Sequence, residues 1–228
     1  MWQLDWSKLA EVLTYDPSQP MIFNSGLFLF LFLGFSLVYA LLQKKTTARL
    51  LFVTAFSYYF YYKSSGIYFF LLGIVTVSDF LLARQMVHTA AHWKRKFLVV
   101  VSLCINLGLL CYFKYTNFFY EMLYPLWNGS FEPLDIFLPV GISFFTFQTI
   151  SYVIDVYRGR IAPLRRWIDY VFYVSFFPQL VAGPIVRARD FIPQIYKTPV
   201  VTRAEFGEGL FLVLCGLLSL IHISEPTR

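Results

Sequence analysis

The chain has 228 residues, of which 58% are hydrophobic and 21% aromatic, while only 14% are charged. A soluble domain carries about 25% charged residues. That deficit, with a mean hydropathy of +0.61, excludes an ordinary soluble domain and puts the chain in the membrane class.

The formal charge of +6 is spread in short clusters between apolar runs. Such placement suits anchoring at one membrane face and argues against nucleic acid as a partner. The apolar excess is mostly Phe and Tyr, 26 and 16 residues, which lipid-facing and interfacial surfaces use freely. The three cysteines, Cys104, Cys111 and Cys215, lie in apolar runs without a CxxC pair. On one helix Cys104 and Cys111 would stand roughly 10 Å apart along the axis, too far for a disulfide.

Residues 1–20 are mixed and slightly acidic, with Asp5, Glu11 and Asp16 against Lys8. A Lys/Arg-led start and a small-residue cleavage site are both lacking. We therefore expect an extracytoplasmic N-terminal segment, followed by a first span that stays as an anchor. That span, 26–42, is long enough to cross a bilayer core. Run 50–62 is shorter and crosses only if Tyr58, Tyr59, Tyr61 and Tyr62 sit at an interface. Further runs follow at 66–82, 97–112, 136–156, 167–186 and 206–221. The predicted fold class is all-α, a polytopic membrane helix bundle.

The loops alternate in charge. Lys44, Lys45 and Arg49 form one basic loop, Arg84 with Lys94, Arg95 and Lys96 a second, and Arg158, Arg160, Arg165 and Arg166 a third. The loop between the second and third is acidic on balance, with Glu121, Glu132 and Asp135. The positive-inside rule puts the three basic loops in the cytoplasm and the N-terminus outside. Arg187, Arg189, Lys197 and Arg203 then break the alternation. Pro178, Gly183 and Pro184 interrupt the run before them, and Pro removes a backbone donor and kinks a helix. We expect 167–186 to be broken or re-entrant and to return to the cytoplasmic side. Irregular backbone at membrane depth is tolerated only inside protein or beside water.

Polar groups in apolar segments default to functional hypotheses. At about 100° per residue, Gly141, Gln148, Ser151, Tyr152 and Asp155 share one stripe downstream of Pro139. It lines a substrate tunnel or supplies interhelical hydrogen bonds that set the packing. Asp155 is expected to pair with Arg158. Gln179, beside the Pro178 break, either satisfies a freed backbone group or marks the mouth of a ligand path with Gly183, Pro184 and Arg187. Lys114 and Asn117 close the fourth run, where a Lys commonly snorkels. Asp79 is expected to form an ion pair with Arg84. His88 and His92 have i, i+4 spacing but no HExxH Glu, so no metal is assigned. P-loop, GxGxxG, CxxC and GxSxG signatures are absent.

The stretch 21–25 resembles the opening of the alginate O-acetylation branch of the membrane-bound O-acyltransferases. Tyr112-Phe113-Lys114-Tyr115 with Asn117-Phe118 is similar to a signature of that branch. So are Leu138 to Gln148, Tyr152 to Gly159 and Phe177 to Pro184. The motifs run in order between about 21 and 216, and they resemble the alginate type more than the related D-alanyl transferases of teichoic acids. The resemblance implies a multi-helix membrane enzyme around a funnel. It implies transfer of an acyl group, here acetyl, from a cytoplasmic donor such as acetyl-CoA to an exported polysaccharide, often through relay partner proteins. No bound cofactor is implied beyond that donor. A membrane-embedded His is the family's general base, suited by a pKa near neutrality, and it is expected beyond residue 228. Residues 21–216 then form a partial acyltransferase domain in the bacterial inner membrane. Gln148 and Tyr152 would be tunnel walls, and Gln179 and Arg187 a cytoplasmic mouth. Residues 217–228 depart from the family and resemble a translated sequencing adapter, so we expect a non-native tail or else a natural short variant. In either case His222 is not the catalytic residue. The rival expectation is a polytopic transporter or a non-catalytic scaffold for polysaccharide export.

Overall fold

The computed structural model describes residues 13–17, 20–23, 25–123, 133–180, 183–197 and 201–224, apart from the side chains of 217 and 219–224. Asn24, Val181 and Ala182 of the motifs above, Glu132, and residues 1–12 and 225–228 lie outside the described residues. Among the described residues every regular element is a helix, without strands.

Helix α1 (Gly26–Leu41) starts at Ser25, whose hydroxyl accepts the Phe28 amide at 3.2 Å, as an N-cap should. Helix α2 (Thr46–Ser65) and helix α3 (Phe69–His88) are joined at Gly66, with φ +58°. That positive φ favours glycine. Tyr61 of α2 shares one buried core cluster with Leu72 and Val75 of α3, so the chain folds back on itself as a hairpin. Helix α4 (His92–Leu110) passes into a π-helical stretch, Cys111–Tyr115, and then helix α5 (Thr116–Leu123). The stretches Thr46–His88 and His92–Leu123 are long and apolar enough to cross a membrane, and the first is divided into two 20-residue arms.

Helix α6 (Ile142–Tyr157) lies against α3 and α4, and these three form the central bundle. It is shorter than the run predicted from 136. Pro139 and the left-handed Gly141, φ +73°, delay the helix to Ile142. Residues 133–139 approach it without helical structure.

Helix α7 (Trp167–Ser175) packs on α2 and α3 and ends abruptly at Phe176. A single turn, α8 (Phe177–Leu180), follows. After irregular residues 183–187 comes the amphipathic helix α9 (Ala188–Ile195). The predicted break is therefore present, and its direction is clear. Arg166, just before α7, reaches Thr47 at 3.1 Å, while Arg49 donates to the carbonyls of Ile195 and Lys197 at 2.5 and 3.2 Å. Both ends of the segment thus sit beside the start of α2, so the segment enters and leaves at one face. Helix α10 (Arg203–Ser224) is exposed over its described side chains, including Phe206, Phe211 and Leu214.

Two expected ion pairs are corrected. Asp79 does not pair with Arg84. Five residues on is about 140° round a helix, so Arg84 is exposed while Asp79 is fully buried against α4. Asp155 pairs with Arg160 at 3.4 Å rather than with Arg158. Gly159, at φ +67°, reverses the chain and brings Arg160 back, its amide donating to the Asp155 carbonyl at 2.9 Å.

Candidate functional site

The residues singled out in the sequence fall into two groups at different depths of α6. The outer group gathers where α4, α5 and the approach to α6 meet. The π-helix at 111–115 coincides with the Tyr-Phe-Lys-Tyr motif, and such stretches recur at functional sites. It presents the exposed Lys114 ammonium 3.3 Å from the Ser143 hydroxyl. Asn117 grips the main chain of Leu134 twice, accepting from its amide at 3.0 Å and donating to its carbonyl at 2.9 Å. Val140 donates to the buried Ser65 hydroxyl at 3.0 Å. Pro139 is buried and Gly141 half-buried in this turn. Lys114, Asn117, Gly141 and Ser143 thus make a polar rim at the end opposite the basic loops.

The inner group is organised by Gln148. Its side-chain amide donates to the Tyr173 carbonyl at 2.8 Å and lies 3.4 Å from the Gln179 side-chain oxygen. The Tyr173 hydroxyl donates to the Val186 carbonyl at 2.9 Å. Gln148 on α6 therefore ties α7 to the tip, and Tyr173 ties α7 to the returning stretch of the re-entrant segment. Gly183 closes the tip. Its amide donates to the Gln179 carbonyl at 3.2 Å, and a Cβ there would stand 2.4 Å from the Gln179 Cα. Tyr152 packs on Tyr170 with ring centroids 4.6 Å apart and accepts the Leu164 amide at 3.0 Å. Asp155 holds the turn that follows α6. Gln148, Tyr152 and Asp155 are all buried by neighbouring protein. Pro178, Pro184 and Arg187 are exposed, and Arg187 stands at the N-cap position of α9 without a side-chain capping bond.

Deeper in the bundle, α3, α4 and α6 share a polar node that the sequence did not reveal. Asp79 accepts from Ser102 at 2.5 Å and from Asn106 at 2.8 Å, and Thr149 donates to Asn106 at 2.8 Å. Interhelical hydrogen bonds in membranes contribute about 0.6 to 2 kcal/mol each. A node of three outweighs any single apolar contact there. Thr149 adjoins Gln148, so the node sets the rotation of α6 that aims Gln148 at the re-entrant tip.

The tip has a second anchor, also not foreseen. Phe177 packs against Phe28, Phe35, Phe56 and Phe60 with centroids 5.1 to 6.2 Å apart, and its amide donates to Ser57 at 3.2 Å. At the base, the Tyr196 hydroxyl donates to the Asp169 carboxylate. Desolvation, then the adjoining carboxylate, pushes that hydroxyl above its ordinary value, so it remains a donor. Between α1, α2 and the re-entrant segment lies a cavity of about 680 Å³, whose wall includes Phe35, Val53, Phe176 and Pro178. Of the tunnel and mouth candidates named in the sequence, Pro178 alone lines this cavity, which also takes in the basic residues Arg49 and Lys197. No group of three or more His, Cys, Asp or Glu among the described residues could hold a metal. His92 lies 3.5 Å from the Tyr157 hydroxyl at the basic face.

No family model and no solved structure matches the chain. Curated relatives do. The chain is 35% identical over 215 residues to a probable alginate O-acetylase AlgI of Azotobacter vinelandii, covering 90% of this chain and 42% of that protein. It is 32% identical over 250 residues to a peptidoglycan O-acetyltransferase of Helicobacter pylori, covering 96% of this chain and 47% of that protein. A teichoic acid D-alanyltransferase of Lacticaseibacillus rhamnosus matches over 60 residues only, 26% of this chain. This chain is a membrane protein and belongs to the membrane-bound O-acyltransferase family. It spans less than half the length of the curated relatives it matches.

Proposed function

We propose that the full-length parent is an O-acetyltransferase of the bacterial inner membrane, crossing it several times and acetylating an exported polysaccharide. The observation that carries this reading is the continuous match of about nine-tenths of the chain to proteins named as O-acetylases. The re-entrant segment supports it, because irregular backbone at membrane depth is tolerated where protein or a water-filled passage surrounds it.

The donor in this reading is acetyl-CoA on the basic, cytoplasmic side. The acceptor is a sugar hydroxyl on the far side, reached directly or through a relay partner. The hydroxyl oxygen bonds to the acetyl carbonyl carbon, the carbon–sulfur bond breaks, and CoA leaves as its thiol. A histidine outside the present residues takes the hydroxyl proton. The present residues build one wall. Gln148 fixes the re-entrant tip, Gln179 and Arg187 flank its inner mouth, and Lys114 with Ser143 forms the outer rim.

The test is label transfer. Full-length protein in sealed vesicles receives acetyl-labelled CoA on one side and polysaccharide on the other. Labelled, alkali-labile polysaccharide is the expected product. Polysaccharide that crosses or binds without gaining label would instead identify a transporter or scaffold.

A further inference from the structure

The cavity between α1, α2 and the re-entrant segment is not absorbed by the reading above and does not depend on it. Its inner wall is apolar and mostly aromatic: Phe32, Phe35, Phe172 and Phe176 with Leu50 and Val53. Its polar end carries Arg49 and Lys197. At about 680 Å³ it falls within the range of ligand pockets.

Arg49 is only 5% exposed. Its hydrogen bonds go to neutral main-chain carbonyls, those of Gln43, Ile195 and Lys197. Tyr39 contributes a ring face 5.9 Å from the guanidinium. Among the described residues no carboxylate stands within ion-pair distance of Arg49. A buried cation without a counter-charge is costly. Lys197, exposed in the same wall, adds a second positive charge. Cavity and charge together fit a molecule with an apolar tail and an anionic head.

The position of the cavity selects the source of that molecule. Phe32 and Ser36, on α1, line it and are exposed. The rest of α1 turns Phe30, Leu33 and Leu37 outward, so the cavity borders the lipid-facing side of the helix. Basic residues beside a membrane attract anionic lipids, and a guanidinium fork matches a phosphate. We propose that this cavity binds an anionic phospholipid, one acyl chain among the aromatic rings and the phosphate at Arg49 and Lys197. The lipid then wedges α1 against the re-entrant segment.

The experiment uses full-length protein purified in mild detergent, with bound phospholipid counted by native mass spectrometry. Wild-type protein is expected to retain phosphatidylglycerol in preference to phosphatidylethanolamine. Lys197→Glu reverses an exposed charge, and Ser36→Trp fills the cavity from the lipid side. Neither changes a buried side chain. Each is expected to lower retention by roughly tenfold, the first through loss of one charged hydrogen bond and the second by taking the acyl chain's space. Equal retention by both variants, equal retention of phosphatidylethanolamine, or no retained phospholipid would overturn the proposal. So would displacement of the lipid by added acetyl-CoA, which would assign the phosphate site to the soluble ester.

Discussion

Gln148 and Tyr173 meet at two points. The Gln148 side-chain amide donates to the Tyr173 carbonyl at 2.8 Å, and the Tyr173 hydroxyl lies 3.4 Å from the Gln148 carbonyl. Helix α7 has no continuation beyond Ser175, so its last turn leaves carbonyls without helical partners. A side chain from α6 supplies one. Gln148→Leu leaves the Tyr173 carbonyl buried and unpaired, at a cost of about 1–3 kcal/mol. Gln148→Glu loses the donor and adds a charge, so it should be the worse of the two. Both should lower the detergent-solubilised melting temperature and speed tryptic cleavage after Arg187 and Arg189.

The buried node around Asp79 gives a graded pair of variants. Asp79→Ala strands the Ser102 hydroxyl and takes one acceptor from the Asn106 amide, which keeps the Ser102 carbonyl. The expected loss is about 2 kcal/mol or more. Asp79→Asn keeps one acceptor and should lose less. Thermal unfolding of both reads the difference. An Asp79→Ala protein that melts like wild type would remove the node from the account of how α3, α4 and α6 hold together.

Two glycines separate close approach from mere presence. Gly183→Ala sets a Cβ against the Gln179 backbone, which must move. It should destabilise the tip and raise protease sensitivity near it. Gly73, within α3, has open space around its Cβ position. Gly73→Ala should be neutral or stabilise by about 0.5–1 kcal/mol through reduced backbone freedom. Melting temperatures that move together would contradict the distinction.

At the outer rim, Asn117→Leu removes both bonds to Leu134. The expected outcome is faster hydrogen exchange at residues 134–137, with the amides of α6 unchanged. Exchange that spreads into α6 would mean that Asn117 supports more than the approach to it.

The start of α10 carries a pH-dependent clasp ahead of the apolar run at Phe206. Thr202 donates from its amide and its hydroxyl to Glu205 at 2.8 Å each, and the Glu205 amide returns to the Thr202 hydroxyl at 3.2 Å. This is a capping box. The bonds from Thr202 hold the exposed carboxyl below its ordinary 4.5. A lowered folded pKa means the clasp contributes in full above that value and is lost as pH falls through the lowered one. Amide exchange at 203–206 should accelerate on acidification in wild type and be fast at every pH in Glu205→Ala.

Much of this architecture is legible in hydropathy and helix breakers. Pro178, Gly183 and Pro184 mark the interruption, and Arg187, Arg189 and Lys197 report which face the chain returns to. What the sequence hides is orientation about each helix axis. Helices apolar on every side carry no stripe that says which neighbour they meet. Asp79 therefore reads as a partner for Arg84 until α4 is seen to face it. Phe177 is one phenylalanine among many until α1 and α2 close around it. The cavity is likewise invisible in sequence, because its walls come from three separate stretches of chain. The π-helix at 111–115 leaves no compositional trace either.

The return of the re-entrant segment to its own face also governs counting. From Trp167 to Lys197 the chain uses some thirty residues without changing sides, so this apolar run does not invert the topology as an ordinary span would. A reporter placed after Arg165 and one placed after Lys197 share a compartment. Scoring 167–186 as a crossing would put Arg203 on the opposite side from Arg165, whereas the geometry keeps both ends of the segment beside the start of α2.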